Sequence, residues 1–388
     1  MKPVVSILIP SRNRGELLGQ AIESALTQDY ASIEVVVSDN ASSDDTAAII
    51  ATFNDSRLTA IRVTEPLSLV DNWNMAWRHA GGDYVIMMGD DDYLLPGAVT
   101  RYMDAIAETG AEMVGSSVAL YCFPDYPNRH FRNTLITPTK RRPRFLSLPS
   151  GSLLEMIFGF HYPFATQTVM YSRRLLQEIG TSDVLYRPPY PDHYCAGAAL
   201  LHTDRMIMIE QPLMIAGATA SSSGVGLVYA KDRERRWRDE QKSGAPLKVS
   251  LGGRAMYGTL FVNGYYESLT QLQSLFPERS RRYEISAGDY SEASVFQLHQ
   301  AESAGRTLDE DVRRPMQALI AGLPLRRRLR VRAKMAVDAA RGVAPLGLIN
   351  FAERLLRGRQ GRHFVALPKE VTSSGECAKY ALRRRLLT

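Results

Sequence analysis

The chain opens with VVSILIPSRNRGELLGQAIESALTQDYASIEVVVSDN over residues 4–40, and the apolar pattern of this stretch indicates the fold class. Residues 4–9 and 34–37 are short apolar runs rich in β-branched side chains, which is typical of strands buried on both faces of a parallel sheet. Between them, apolar residues recur every three or four positions from Leu17 to Leu26 and predict an amphipathic helix. The stretch therefore reads as a strand, a helix and a second strand.

The same alternation continues to about residue 89. Ser42 and Ser68, each followed three residues later by an aspartate, are predicted N-caps ahead of two further helical patterns. Strand-like runs follow at 58–63 and 84–88. Strands that alternate with helices in this way predict an α/β protein with a doubly wound, mostly parallel sheet flanked by helices.

Composition is that of an ordinary folded protein. Of the 388 residues, 45% are hydrophobic and 23% are charged. The 3 cysteines are far apart in the sequence, so we expect reduced thiols and neither a disulfide framework nor a metal knuckle. We find no leader-like segment and no apolar run of about 18 residues, so we expect a cytoplasmic protein whose membrane contact is at most peripheral.

The net charge of +6 conceals a strong asymmetry. Residues 313–388 hold 18 Lys and Arg against 4 Asp and Glu, whereas the preceding 312 residues hold 29 basic and 37 acidic ones. Arginines interleave with apolar residues in this basic helical C-terminal region, which is typical of helices that lie on an anionic membrane surface. A solvated face is the alternative. Nucleic acid is not expected as a partner, because no aromatic stacking pattern accompanies the arginines.

The sequence divides into three predicted regions. Residues 1–245 form the α/β domain, with a basic, proline-rich excursion at 124–149, and residues 246–312 form a helical extension. Residues 313–388 form the basic amphipathic C-terminal region. The stretch 216–226 consists almost entirely of Gly, Ala, Ser and Thr, and we interpret it as either a flexible connection or a segment that closes over a ligand.

Polar residues follow three of the predicted strands, where an open α/β sheet binds its ligands. These strand ends are PSRNR at 10–14, SDN at 38–40 and DDD at 90–92. Three consecutive carboxylates repel one another unless a cation compensates, and oxygen ligands without nearby His or Cys favour Mg²⁺ or Mn²⁺. A solvated turn before Pro96, the first residue of a helix, is the alternative interpretation of the acidic run.

Three motifs together resemble family 2 glycosyltransferases of the GT-A fold. They are VSILIPSRNR at 5–14, VVVSDNASSDDT at 35–46 and GGDYVIMMGDDDYLLPG at 81–97, and the resemblance extends over about residues 3–230. It implies a metal-dependent, inverting transfer of a sugar from a nucleotide-sugar donor, with Mg²⁺ or Mn²⁺ as cofactor. It also implies an acceptor hydroxyl on a cell-surface glycan or a lipid-linked precursor.

The resemblance implies roles for individual residues. On the donor side, Pro10, Ser11 and Arg12 line the base and ribose, Asp39 contacts the base and Asn72 makes a further polar contact. In the acidic motif, Asp91 is the main metal ligand, Asp92 supports it, and Asp90 turns toward the ribose or a metal-bound water. Because Gly89 stands where the family's commonest motif has its first aspartate, the register of these ligands stays open. For Asp39, an Asx turn that caps the next helix is the structural alternative.

An inverting transfer needs a carboxylate that takes the proton from the acceptor hydroxyl. In YRPPYPDHYCAG at 186–197, Asp192 stands where the resemblance places this catalytic base, although Pro191 precedes it where many members have a second acid. His193 is a rival base because its unperturbed pKa lies near neutrality. A helix-capping role is the non-catalytic alternative for Asp192.

The sequence therefore predicts a glycosyltransferase. A nucleotidyltransferase that makes sugar nucleotides is an alternative with the same sheet architecture, but the first loop lacks the Gly-rich, Lys-containing signature of triphosphate activation. A catalytically inactive glycan-assembly binding protein is the second alternative. Asp39, Asp91 and Asp192 argue against it, because a pure binding protein needs no base opposite a metal.

Overall fold

The structure, a computed structural model, is built around one large mixed sheet. It describes residues 2–138, 144–161, 163–225, 248–251, 254–257, 261–303, 310, 314, 318, 321–341, 349 and 362–387. The predicted regions at 246–312 and 313–388 are therefore described in part, and the stretch 216–226 up to residue 225.

Strands and helices alternate over the N-terminal part of the chain, as the sequence predicts. In order they are β1 (Val5–Ser11), α1 (Gly15–Leu26), β2 (Ile33–Asp39), α2 (Thr46–Ala51), β3 (Leu58–Arg62), α3 (Leu69–Arg78), β4 (Tyr84–Met87), β5 (Tyr93–Leu94) and α4 (Ala98–Thr109). The predicted cap at Ser68 is confirmed, since its Oγ accepts a hydrogen bond from the Asp71 N–H at 3.0 Å. The predicted cap at Ser42 is wrong, because its Oγ instead accepts from the Asn13 N–H at 2.9 Å.

The later elements add strands and a helical layer. In order they are β6 (Met113–Cys122), β7 (Thr134–Pro138), β8 (Phe145–Pro149), α5 (Ser150–Phe158), a 3₁₀ turn (Thr166–Thr168), β9 (Val169–Ser172), α6 (Arg173–Ile179), α7 (Pro191–His202), β10 (Arg205–Ala218), β11 (Lys248–Leu251), β12 (Arg254–Tyr257), α8 (Phe261–Leu275), α9 (Pro277–Ser280), α10 (Ala287–Ser303), α11 (Leu325–Arg341), β13 (Arg362–Ala366) and α12 (Ser374–Arg383).

Eleven of the described strands form a single sheet. Eight of them follow the order β13-β7-β6-β9-β4-β1-β2-β3, and β10 pairs with β6 and carries β5 and β8. β1 is parallel to both β2 and β4, with Ile9 opposite Val37 and Leu8 opposite Met87. β9 is antiparallel to β4 and to β6. The sheet is therefore parallel around β1 and mixed beyond β4, which confirms the α/β class.

Both faces of the central strands are buried, as their continuous apolar runs predict. Ile7 and Ile9 belong to a core shared with α1 and α4, whereas Leu8, Val36 and Val85 belong to a core shared with α3 and α5 to α7. Side chains alternate between these cores because successive residues of a strand point to opposite faces. Each fully buried aliphatic side chain contributes roughly 1.5–3 kcal/mol to folding, so burial on both faces stabilises the central strands.

Parts of the proline-rich excursion and of the C-terminal region join the sheet. Strands β7 and β8 both lie within residues 124–149, and β13 runs antiparallel to β7 with Phe364 opposite Ile136. The Tyr121 hydroxyl donates to the Val371 carbonyl at 2.7 Å, which ties the segment before α12 to β6. Residues 362–387 therefore pack against the N-terminal domain.

The helices α8, α10 and α11 form a separate layer beside α7. Val295 of α10 and Val331 of α11 are in buried contact, together with Leu323 just before α11. On its outer side α11 exposes Leu325 and Leu329, whose exposed fractions are 66% and 57%. Within the described residues, no helix has both the length and the apolar character needed to cross a membrane.

Candidate active site

Three consecutive carboxylates lie just beyond the carboxyl end of β4. Asp90, Asp91 and Asp92 are all buried. Asp92 accepts a hydrogen bond from the Gly89 N–H through Oδ2 at 2.8 Å and one from the Gly217 N–H through Oδ1 at 3.0 Å. Both oxygens of Asp92 therefore hold the turn after β4 against β10.

Gly217 permits the close approach of β10 to this turn. A Cβ atom at position 217 would lie 2.1 Å from the carbonyl oxygen of Asp91. Any side chain would push the two segments apart, so glycine is required here.

Arg14 supplies the positive charge that the three carboxylates need. Its Nη1 lies 2.5 Å from Asp90 Oδ1 and its Nη2 lies 2.9 Å from Asp91 Oδ2. Ser11, at the end of β1, donates to Asp90 Oδ2 at 2.7 Å. Burial raises the pKa of Asp90 to about 6, because desolvation outweighs the opposing charge of Arg14. A residue that follows β1 thus neutralises a motif that follows β4, since the two strands are neighbours.

The segment after β10 closes one side of this acidic cluster. Thr219 Oγ1 accepts a hydrogen bond from Arg14 Nη2 at 2.9 Å, and Ser222 Oγ donates to Asp91 Oδ2 at 2.6 Å. The predicted small-residue stretch begins inside β10 and then contacts the acidic motif. Its closing over a ligand stays a prediction.

The C-terminal helix also contacts the acidic motif. Ser374, at the start of α12, donates from Oγ to the backbone carbonyl of Asp91 at 2.6 Å. The next residue, Gly375, donates its N–H to Gln20 Oε1 on α1 at 2.9 Å. Sequence reasoning missed this contact, because no local pattern connects positions 283 residues apart.

The acidic cluster can bind a divalent cation through Asp91. Its Oδ1 is the carboxylate oxygen of the three residues that accepts no hydrogen bond from the described part of the chain. The described residues contain no preformed group of three or more His, Cys, Asp and Glu side chains that could hold a metal. Mg²⁺ needs only one or two carboxylates when phosphates and waters complete its shell, so the oxygen donors present fit such an ion. Each oxygen of Asp92 accepts one backbone N–H and keeps a second lone pair, so its role as a supporting ligand stays a prediction.

Asp39 lies at the end of β2, opposite Ser11 at the end of β1. Its Oδ1 accepts a hydrogen bond from the Ser42 N–H at 3.0 Å, which is the Asx turn that the sequence allowed. Its Oδ2 is buried, makes no hydrogen bond with the described residues and lies 3.5 Å from Arg62 Nε. One oxygen of Asp39 thus shapes the loop, while the other is buried within ion-pair distance of Arg62.

The other predicted donor contacts differ in exposure. Pro10 is half-buried within β1, and Arg12 is exposed just beyond this strand. Asn72 is buried, accepts from Ser38 Oγ at 2.7 Å and donates to the Ser38 carbonyl at 3.2 Å. The Asn72 side chain therefore joins α3 to β2, and its contact with a donor stays a prediction.

Asp192 is the second residue of α7, and two neighbours hold its carboxylate. Thr166 Oγ1 donates a short hydrogen bond to Oδ2, and His193 Nδ1 lies 3.0 Å from Oδ1. Burial by itself would raise the pKa of Asp192, but the charge and hydrogen bond of His193 and the Thr166 hydroxyl outweigh it and lower this pKa to about 2. The carboxylate is therefore ionised at neutral pH, with 28% of its side chain exposed.

Sheet topology brings Asp192 to the same edge as the acidic motif. β9 runs antiparallel to β4 with Met170 opposite Ile86, so the chain entering β9 lies beside the chain leaving β4. Thr166, which binds Asp192, lies in that entering segment. Neighbouring strands are about 4.8 Å apart, so the two carboxylate sites occupy adjacent positions along one sheet edge.

Comparison with known proteins finds a family match over the N-terminal part of the chain. Residues 6–180 match the family described as Glycosyl transferase family 2. The chain is 33% identical, over 117 residues, to GalNAc(5)-diNAcBac-PP-undecaprenol beta-1,3-glucosyltransferase of Campylobacter jejuni, covering 29% of this chain and 38% of that protein. It is 36% identical, over 90 residues, to UDP-Glc:alpha-D-GlcNAc-diphosphoundecaprenol beta-1,3-glucosyltransferase WfaP of Escherichia coli, covering 23% and 36%. The chain thus spans less than half the length of these relatives.

A solved structure is similar over a longer part of the chain. The S. aureus TarS fragment 1–349 in complex with UDP-GlcNAc aligns with a TM-score of 0.47 and 15% sequence identity. The alignment covers 83% of this chain and 93% of that structure.

Proposed function

Since residues 6–180 match the family described as Glycosyl transferase family 2, we propose that this protein transfers a sugar from a nucleoside-diphosphate donor to a hydroxyl of a cell-surface or lipid-linked glycan. Transfer proceeds with inversion at the anomeric carbon and depends on Mg²⁺ or Mn²⁺. The observation that carries this proposal is one sheet edge that presents a buried acidic motif beside an ionised carboxylate, Asp192, held by Thr166 and His193. Two glucosyltransferases among its relatives have diphosphoundecaprenol-linked acceptors in their names, which supports a lipid-linked acceptor here.

The donor nucleotide binds across the ends of β1 and β2. Asp39 Oδ2, buried without a hydrogen-bond partner among the described residues, accepts a hydrogen bond from the base. Ser11 and the exposed Arg12 lie at the neighbouring strand end and contact the ribose and the diphosphate. The buried oxygen of Asp39 stays desolvated unless a donor group fills this position, and binding the nucleotide offsets that cost.

The donor diphosphate lies against the acidic motif. Asp91 would hold the divalent ion, which as a Lewis acid would stabilise the negative charge that develops on the leaving nucleoside diphosphate. Arg14 holds the side chains of Asp90 and Asp91 in place through its two hydrogen bonds. Ser222 donates to Asp91 and fixes the orientation of its carboxylate.

Asp192 is the general base of the reaction. It takes the proton from the acceptor hydroxyl as that oxygen attacks the anomeric carbon from the face opposite the diphosphate. Thr166 and His193 orient the carboxylate, one on each oxygen. Because both partners are fixed by the fold, the acceptor hydroxyl meets a preorganised base rather than a mobile side chain.

A screen of nucleotide sugars for thermal stabilisation, with and without Mn²⁺, tests the donor class and metal use together. We expect one nucleoside-diphosphate sugar to raise the melting temperature in the presence of Mn²⁺ by more than Mn²⁺ alone. NMR analysis of the product anomer then tests inversion. If no nucleotide sugar stabilises the protein under either condition, the proposed function is wrong.

Asp192→Asn tests the base within the same assay. We expect donor affinity to stay within about twofold of the wild type while transfer falls roughly 10²- to 10⁴-fold, the usual contribution of a general base. Asp204→Asn, at an exposed position just after α7, is the matched control and is expected to transfer normally. An Asp192→Asn variant that turns over at the wild-type rate would show that another residue is the general base.

A further inference from the structure

A large cavity lies beside His193, the neighbour of the proposed base Asp192. Most of its wall lies outside residues 6–180, the segment that matches the family. Its volume is about 770 Å³, which is within the range of sites for small organic ligands. The helices α8, α10 and α11 form most of its wall, and His193 of α7 and Phe160 after α5 complete it. These three helices begin at residue 261, so the cavity is a feature that the family motifs do not describe.

The inner end of this cavity is aromatic and includes His193, the neighbour of the proposed base Asp192. The His193 ring packs edge-on against Phe261 at 5.4 Å and Tyr265 at 5.6 Å between ring centres. The Tyr265 hydroxyl donates to the Ile157 carbonyl at 2.9 Å, so its polar atom is bound within the protein. Because His193 Nδ1 is 3.0 Å from Asp192, a molecule at this end of the cavity lies next to the proposed base.

The opposite end opens to solvent along α11. Ala333, Lys334 and Val337 line the cavity and are exposed, and Val337 is 43% exposed. Residues four apart on a helix form one ridge, and Ala333 and Val337 continue the ridge of the exposed Leu325 and Leu329. An apolar strip on the protein surface therefore runs directly into the cavity mouth.

The mouth carries an excess of positive charge. Arg330 and Lys334, one helical turn apart on α11, both line the cavity. The two acidic residues of the lining, Asp289 and Glu292, already pair with Arg327 at 2.7 and 3.2 Å. Since Glu292 also lies 3.7 Å from Arg330, the three cations exceed the two acids by one charge. An anionic group is favoured at this position.

We infer that this cavity is the acceptor site and that it binds a lipid phosphate-linked saccharide. The saccharide lies against Phe261, Tyr265 and His193, where its hydroxyl reaches Asp192. The phosphate lies at Arg330 and Lys334, which are suited to phosphate oxygens. The lipid chain leaves along Leu325, Leu329 and Val337, toward a membrane surface on which the exposed arginines of α11 rest. This inference rests on the proposed function, because it assigns the acceptor half of that reaction.

Farnesyl diphosphate, a soluble lipid diphosphate, is the probe for the test. Its affinity for the full chain is measured by calorimetry in EDTA, so that no divalent ion holds it at Asp91. We expect binding, with farnesol at least tenfold weaker because it lacks the anion, and inorganic pyrophosphate at least tenfold weaker because it lacks the chain. UDP should not compete with farnesyl diphosphate.

Two variants locate the binding. Ala293→Trp fills the cavity from α10, and the double variant Arg330→Glu with Lys334→Glu reverses the charge at its mouth. Each is expected to weaken farnesyl diphosphate binding at least tenfold. The double variant Arg326→Glu with Arg328→Glu makes the same charge change at exposed positions outside the cavity lining, and its affinity should stay within about twofold.

Stabilisation by UDP and Mn²⁺, measured on every variant, separates this inference from the proposed function. We expect it to be unchanged in all of them, which also shows that they fold. Wild-type protein that does not bind farnesyl diphosphate, or cavity variants that bind it normally, would overturn the inference. Wild-type protein that no nucleoside diphosphate stabilises, with or without Mn²⁺, would instead count against the proposed function.

Discussion

The acidic cluster after β4 and the cavity beside His193 are constructed in opposite ways. In the cluster, Asp90 to Asp92 and Arg14 are held by hydrogen bonds, and five of the six carboxylate oxygens accept at least one from the described residues. In the cavity, aromatic rings form the inner end and charges appear at the mouth. The cluster belongs to the segment that matches the family, whereas most of the cavity wall follows that segment.

This difference indicates how the two halves of the proposed reaction depend on structure. A developing charge is stabilised only by polar groups at fixed positions, so the donor side requires precise geometry. Apolar contact is not directional and scales with buried area, so the acceptor side can admit different molecules through changes of shape. We therefore expect substitutions in the cluster to have larger and more uniform effects than substitutions near the cavity.

The largest effect is expected for Asp91→Ala. The variant loses the carboxylate oxygen that is free to bind a divalent ion, so Mn²⁺-dependent UDP binding should disappear by calorimetry. Transfer should fall roughly 10³-fold or more, since several kcal/mol of charge stabilisation are lost. Farnesyl diphosphate binding in EDTA should be unchanged, which would separate the two regions.

The matched control for Asp91→Ala is Asp104→Ala, at an exposed position on α4. It removes a carboxylate of the same kind, but from the protein surface, and should leave both UDP binding and transfer intact. Normal turnover by Asp91→Ala would show that Asp91 does not bind a metal ion required for transfer.

An intermediate effect is expected for His193→Phe, which keeps the aromatic packing but loses the partner of Asp192. The pKa of Asp192, about 2 in the wild type, should rise because burial still disfavours the carboxylate and the His193 charge is gone. The ionisation of Asp192 should therefore move to a pH higher by at least about one unit. The measurement is the acid limb of the Asp192 carboxyl titration by NMR, because kcat/KM also reports the ionisation of Asp90, whose pKa is about 6.

The control for this pH shift is His202→Phe, on the last turn of α7 and packed against Phe276. Its acid limb should coincide with that of the wild type. Superimposable profiles for His193→Phe and the wild type would show that His193 does not set the ionisation of Asp192, and the contrast between the two regions would weaken.

The smallest effect is expected for Ser374→Ala, which removes the hydrogen bond from α12 to the Asp91 carbonyl. We expect a loss of about 1 kcal/mol of folding stability and an affinity for UDP with Mn²⁺ lower by about threefold. Ser373→Ala removes the N-cap of the same helix, with a similar stability cost, but does not touch Asp91. Equal nucleotide affinities in the two variants would show that α12 does not position the acidic motif.

Much of the fold follows from local patterns in the sequence. The short apolar runs became strands β1 to β4, and the three- and four-residue spacing became α1 and α3, because both signals depend only on residues close in the chain. Strands β7 and β8 were harder to recognise within a proline-rich, basic segment, since β13, which pairs with β7, and β10, which pairs with β8, lie far away in sequence.

The candidate site could likewise be predicted where it depends on local sequence and not where it depends on contacts between distant segments. The carboxylates at 90–92 and Asp39 could be found from the sequence, because polar residues directly after buried strands converge at one sheet edge. Arg14 was visible in the first strand-end motif, but its pairing with Asp90 and Asp91 depends on β1 lying beside β4. Thr166, Ser222 and Ser374 have no local signal that connects them to their aspartates.

By itself, then, the sequence determined the alternating α/β architecture, the polar strand ends and the amphipathic character of α11, all of which are set by residues within a few positions of one another. Only the tertiary structure determined that Arg14 neutralises the acidic motif, that α12 returns to contact Asp91 and that α8, α10 and α11 enclose a cavity beside His193. Amphipathic periodicity states that a helix has an apolar face. What that face meets depends on packing against other segments, such as α7 and α10, which local periodicity does not specify.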